Sequence, residues 1–147
     1  MPATRPYKRA FELLAGAGLR PTRQRVGLSR LLFEGGHRHV TAEQLHAEAM
    51  TGGLRVSLAT IYNTLHQMTD AGMLREVVVE AGRSYFDTNI SEHHHFFHEE
   101  SGWLIDVPGS AALRAALPPP PPGTEVMQVD VVIRLSGKPH ELGAISQ

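Results

Sequence analysis

The sequence predicts an α+β chain, an N-terminal winged helix-turn-helix followed by a small α/β dimerisation domain. Three observations predict it. Helical stripes bounded by caps and glycines fill the stretch up to Gly72 and then run into a strand hairpin. Short strands and one short helix follow, interrupted by the proline run Pro118–Pro122. The charge changes sign between the two parts: residues 1–83 hold 11 Lys/Arg against 7 Asp/Glu, and residues 84–147 hold 3 against 8. The expected division is 1–86 for the winged helix and 87–147 for the second domain.

Tyr7, Phe11, Leu14 and Gly18 fall at helical spacing, and Gly16 and Gly18 close that first helix. Thr22 N-caps a second, whose stripe of Val26, Leu28, Leu31 and Leu32 runs to Gly35-Gly36. Thr41-Ala-Glu-Gln44 is a capping box, in which a hydroxyl and an amide satisfy free backbone N–H groups. It opens a third helix with Leu45 and Ala49 inward. Ser57 N-caps a fourth helix, 57–71, with Leu58, Ile61, Leu65 and Met68 on one face and Ala59, Tyr62, Asn63 and His66 on the other. Strands at Leu74–Val79 and Arg83–Asp87 flank the turn Glu80-Ala-Gly-Arg83. Residues 93–98 and 102–107 read as a second hairpin turning at Ser101-Gly102. Ser110–Leu117 reads as a short helix, and the prolines as a stiff connector. Thr124–Leu135 alternates, with Met127, Val129, Val131, Ile133 and Leu135 on one face, the pattern of a half-buried antiparallel strand. Lys138–Gln147 shows no period. About 60 residues of this kind make a poor core alone and suit a sheet covered by a second copy.

Composition narrows the chemistry. The chain has no cysteine, which excludes disulfides and thiolate metal sites and leaves zinc only His and carboxylate ligands. That usage fits a cytoplasmic protein. The N-terminus lacks the apolar core of a signal peptide, and no run of about 18 apolar residues exists to span a membrane. Residues 1–38 carry 8 basic groups against 2 acidic, which suits a polyanion such as double-stranded DNA, with a solvated basic face as the bland alternative.

The fourth helix is the candidate reading element. Tyr62 can donate to phosphate or pack on a thymine methyl, and Asn63 can pair with an adenine edge. Thr60 lies at the flank. Arg20, Arg23 and Arg25, with Arg30, suit phosphate, as do Arg5, Lys8 and Arg9, and Arg83 in the hairpin turn is a candidate wing contact. Tyr62 also has a purely structural reading, as an aromatic packed within the fold.

The candidate metal ligands cluster around His93-His94-His95. His93 and His95 leave one face of a strand, and His94 leaves the other. Asp87 ends the preceding strand and Asp106 the following one, beside His93 if the hairpin pairs as drawn; His39 precedes the Thr41 cap. Three imidazoles and two carboxylates suit Fe(II), Mn(II) or Zn(II). Asp87 has an alternative as a turn cap, and Asp106 as a plain strand-end residue. Haem is a further candidate, with an axial imidazole from His93, His94 or His95 under the cover of Phe96, Phe97 and Trp103. On the residues alone it ranks below a simple ion. His98, His37, His46, His66 and His140 read as structural or solvated.

The pieces His39-Val-Thr-Ala-Glu43, Leu58-Ala-Thr-Ile-Tyr62-Asn-Thr-Leu65, Asp70-Ala-Gly72, Tyr85-Phe-Asp87, and His93-His-His95 followed by Gly102-Trp-Leu-Ile-Asp106 together resemble the ferric uptake regulator family over nearly the whole chain. The Ala-Thr-Ile-Tyr-Asn-Thr-Leu helix, the missing cysteines and the His-His-His-Phe-Phe run look most like its iron response regulator, haem-responsive subgroup. The resemblance implies a homodimer that binds an inverted-repeat operator near genes of iron and haem metabolism. It places the regulatory ion at His39, Asp87, His93, His95 and Asp106, and raises haem at the histidine triplet. In the haem-responsive branch it implies an apo form that binds DNA and a haem-bound form that binds it less well.

The chain departs from the family pattern in four places. His98 and Ser101 stand where a first C-x-x-C pair would, with no later pair, so no structural zinc is expected. Asn63 stands where an arginine is common, so base preference differs. Leu113 stands near a carboxylate position of a second site, and a Cys-Pro haem motif is missing. Two other functions compete: a metalloenzyme, which needs an open coordination position and a base, and a metal-storage module, which has no use for Tyr62 or a basic N-terminus.

Overall fold

Side-chain caps set where the helices begin. The computed structural model describes residues 7–80 and 82–138. Helix α1 (Lys8–Gly16) starts without a side-chain cap. Helix α2 (Arg23–Phe33) starts where the Thr22 hydroxyl accepts from the Arg25 N–H at 3.1 Å. After the short strand β1 (His39–Val40), α3 (Ala42–Thr51) opens on the expected reciprocal box. Thr41 Oγ1 accepts from the Gln44 N–H, and Gln44 Oε1 accepts from the Thr41 N–H. Helix α4 (Leu58–Asp70) is capped by Ser57, and Gly72, at φ +80°, turns the chain out of it.

These helices close on one core. Leu14, Leu28, Leu32, Leu45, Ile61, Leu65 and Met68 are fully buried in it, each contributing about 2 kcal/mol of apolar transfer. Ser29 is buried, and among the described residues its hydroxyl has no hydrogen-bond partner. Ser29→Ala is therefore expected to raise stability by up to about 1 kcal/mol in urea unfolding, because it removes an uncompensated desolvation cost.

Strands β2 (Arg75–Glu80) and β3 (Arg83–Asp87) form the wing hairpin, and β1 pairs antiparallel with β3 to give the order β1-β3-β2. That register sets His39 opposite Asp87. Next to them the backbone of Arg38 and the side chain and backbone of Thr88 exchange hydrogen bonds at 2.9–3.2 Å. The Arg38 guanidinium grips both oxygens of Glu48 on α3, at 2.8 and 2.6 Å, and donates to the Leu31 carbonyl.

The chain divides into two compact units, one ending at Ile90 and one beginning at Ser91. In the second, β4 (His93–His98) and β5 (Trp103–Pro108) form an antiparallel hairpin whose turn uses Gly102 at φ +76°. Helix α5 (Ala111–Ala115) is short, and β6 (Val132–Leu135) lies on the other side of β4. Here the structure corrects the expectation for Thr124–Leu135. Only its last four residues form a strand, and that strand runs parallel to β4, not antiparallel. The crossover through α5 and the prolines returns the chain to the same end of the sheet before it re-enters. Residues 124–131 form no strand, and Met127 is 91% exposed. Among the described residues the unit fully buries only two large apolar side chains, Phe97 and Leu104. Of Lys138–Gln147, only Lys138 lies within the described residues. No helix among the described residues is long and apolar enough to cross a membrane.

Candidate metal centre and nucleic-acid interface

Strand alternation builds the first site. His93 and His95 stand two apart on β4, so their rings share a face, with centroids 4.6 Å apart. On β5 the residue directly opposite His95 is Asp106, while His93 faces Pro108. Asp106 is thus the cross-strand partner of His95 and the diagonal neighbour of His93. Its Oδ1 lies 3.3 Å from His95 Nε2 and 3.8 Å from His93 Nε2. One ligand atom from each of the three lies within 4.8 Å of the others. Both imidazoles are buried, and the carboxylate is about half exposed at 47%.

Tautomer control favours ligation. His93 Nδ1 lies 2.7 Å from the Ser91 carbonyl, which can only accept. Nδ1 therefore donates, and in the neutral ring this leaves Nε2, the atom that faces Asp106, to ligate. A carbonyl behind a histidine is the usual way of fixing a ligating ring. His94 behaves differently. Its Nδ1 accepts from the Val131 N–H at 3.2 Å, so it ties β4 to the segment entering β6 and its ring serves the sheet. The expected pair His39 and Asp87 meets within the first unit, as cross-strand partners on β1 and β3. Asp87 also serves as the turn cap that was its alternative, with Oδ1 accepting from the Asn89 N–H at 2.9 Å. Both residues are buried.

The structure gives His98 a structural place. Its Nδ1 accepts from the Ser101 N–H and lies 2.6 Å from Ser101 Oγ, which leaves Nε2–H to donate to the Gly137 carbonyl at 2.6 Å. The His-x-x-Ser turn pins the β4–β5 corner to the chain beyond β6. Its spacing was visible in the sequence; its partner 39 residues away was not.

The second site lies on the first unit. Asn63, His66 and Gln67 of α4 are exposed, Thr64 joins the buried stripe, and Tyr62 is half-buried against the core. The Tyr62 hydroxyl donates to Glu43 Oε1 at 2.7 Å, an acceptor on the first turn of α3 that sequence reasoning missed. That hydrogen bond, then partial burial and the carboxylate charge, raise Tyr62 above the ordinary phenol value. Tyr62 therefore packs against the fold and reaches its surface at once. Arg25 bridges α2 and α4, donating to the Arg20 carbonyl and to Gln67 Oε1, each at 2.9 Å. Arg20 and Arg23 are exposed. Thr60 Oγ1 accepts from the Ser57 hydroxyl at the cap. Arg83 pairs with Glu80 across the wing turn and lies over the Tyr85 ring. Arg5 falls outside the described residues.

Comparison with known proteins gives a consistent family. The model of the ferric uptake regulator family matches residues 16–113. The chain is 37% identical over 80 residues to the ferric uptake regulation protein of Escherichia coli (strain K12), a match covering 54% of each chain. The chain spans about half the length of the curated relatives it matches. Its fold is similar to that of the Pseudomonas aeruginosa ferric uptake regulator solved with manganese, with a TM-score of 0.68, 26% identity, and 88% of this chain and 98% of that one covered. It is also similar in fold to the Vibrio cholerae ferric uptake regulator, with a TM-score of 0.69, 23% identity, and 86% and 98% covered.

Proposed function

Because the chain belongs to the ferric uptake regulator family, we propose that it is a DNA-binding transcription regulator whose operator affinity is set by a divalent metal ion. The observation that carries this reading is the His93, His95 and Asp106 cluster, with both imidazole Nε2 atoms facing the Asp106 carboxylate. The donor set suits Fe(II) or Mn(II), with Zn(II) as an in vitro substitute. The manganese held by the Pseudomonas aeruginosa relative supports the same class of ion. His39 and Asp87, cross-strand partners within the first unit, are kept as proposed metal ligands. The ion is an effector here, not a catalyst. It must bind one arrangement of the chain more tightly than another, or it shifts nothing.

The operator is proposed to be an inverted repeat read by a homodimer, one α4 per half-site. The thin core of the second unit, with Val126, Met127 and Ile133 exposed, supports a second copy there. Phosphate contacts fall to Arg20, Arg23 and Arg25, base contacts to Thr60, Tyr62 and Asn63, and a wing contact to Arg83. The target genes are proposed to be those of iron and haem metabolism. Haem is the second effector, in line with the iron response regulator subgroup. His93, His94 and His95 are each no more than 4% exposed, so an axial bond to a porphyrin requires the sheet to open, and the geometry supports the ion better.

The test uses the full chain and duplexes it selects from a random library, with affinity measured in the apo, Mn(II)-loaded and haem-loaded states. Ligation is expected to change affinity by about 5–150-fold, with haem loosening the complex. Tyr62→Ala is expected to weaken operator binding by at least about tenfold and to leave Mn(II) uptake unchanged. Equal operator affinity in all three states overturns the switch.

A further inference from the structure

The hydrogen bond between Tyr62 and Glu43 has consequences for which part of DNA the tyrosine can meet. A free phenol can donate to phosphate. This one already gives its proton to Glu43 Oε1 at 2.7 Å. What it has left to offer is the lone pairs of its oxygen, with an exposed carboxylate beside it. That surface is electronegative and repels a phosphate oxygen.

The two elements that present the pair are firmly placed. Glu43 sits on the first turn of α3, behind the Thr41–Gln44 capping box, and its carboxylate is stabilised there by the helix dipole. At the other end of the same helix Arg38 clamps Glu48. Tyr62 is held on the far side by core packing and by the His66 ring, 6.4 Å away and nearly parallel. Asn63, the adjacent outward residue, is exposed and carries both donors and acceptors.

We infer that Glu43 and Tyr62 act as one acceptor-only reading unit, selecting an exocyclic amino group in the major groove, cytosine N4 or adenine N6, over phosphate. This inference rests on the proposed DNA-binding function and assigns the base chemistry of that same face. Glu43 becomes a specificity-determining residue, and Tyr62 a base contact and not a backbone contact. Carboxylates accept from cytosine N4 by the same chemistry.

The experiment uses the full metal-loaded chain and the duplex it selects from a random library. Each adenine is replaced in turn by purine, and each cytosine by 2-pyrimidinone, which deletes only the amino group. The wild type is expected to lose about tenfold or more in affinity at one such position per half-site. The type of base at that position separates N4 from N6. In Glu43→Ala the penalty at that position is expected to fall to near zero, and in Tyr62→Phe, which keeps the Glu43 carboxylate, to fall in part, while penalties elsewhere persist. A purely structural role for Glu43 would instead weaken all duplexes alike. A wild type indifferent to every amine deletion, or variants that retain the full penalty, overturns the inference. So does a Tyr62→Phe variant whose only change is a salt dependence shallower by about one phosphate contact. A wild type that binds no duplex in any ligation state overturns the parent reading and this one with it.

Discussion

His95→Ala is expected to lower Mn(II) affinity by more than about 100-fold, beyond the range typical of losing a residue that only supports a ligand. His95 sits directly opposite Asp106 in the β4–β5 register, closer to the carboxylate than His93 is. Removing it leaves the cluster of the second unit with one imidazole and a half-exposed carboxylate, which water competes for. Asp106→Asn keeps an oxygen donor and loses the charge, so a smaller loss is expected, about 10–100-fold. His94→Ala is the control. Its ring bonds the Val131 N–H, so it should cost stability and leave ion affinity within a few-fold. Calorimetric titration of the three variants against a competing chelator checks the order. Equal affinities for wild type and His95→Ala would remove the metal assignment.

How far the sequence was legible depended on the distance over which each rule acts. The caps Thr22, Thr41 and Ser57 act across three residues, and each does in the structure what its spacing predicts. The alternation that put His93 and His95 on one face and His94 on the other is likewise a property of two consecutive peptide units. The placing of Asp106 near His93 holds at 3.8 Å, although the residue directly opposite it on β4 is His95. Longer links had no local signal. Nothing about Thr124–Leu135 says which strand it joins or in which direction, because an alternating pattern defines a face and not a partner. Tyr62 and Glu43 lie 19 residues apart, Arg38 and Thr88 lie 50 apart, and His98 and Gly137 lie 39 apart. Those contacts exist only once helices and sheet have closed, and they decide how α4 and the His-x-x-Ser corner are held.

Gly109→Ala is expected to destabilise the second unit by about 2–3 kcal/mol, the upper range for overpacking. Gly109 follows β5, where a Cβ would lie 2.6 Å from the backbone oxygen of Glu92 and 3.3 Å from its carbonyl carbon. A side chain could swing away from such a contact; a carbonyl at the start of β4 cannot. The strain must open the hairpin at its first pair, His93 with Pro108. That end carries the proposed ion cluster, because His93 is tied to Ser91 and lies diagonal to Asp106. The substitution should therefore also weaken Mn(II) binding although Gly109 offers no ligand. The far end of the hairpin, where His98 and Ser101 are hydrogen bonded, should keep its amide protection in hydrogen exchange. If Gly109→Ala unfolded at the wild-type temperature with unchanged ion affinity, close packing of Gly109 on Glu92 would not be what holds β4 and β5 in register at the cluster.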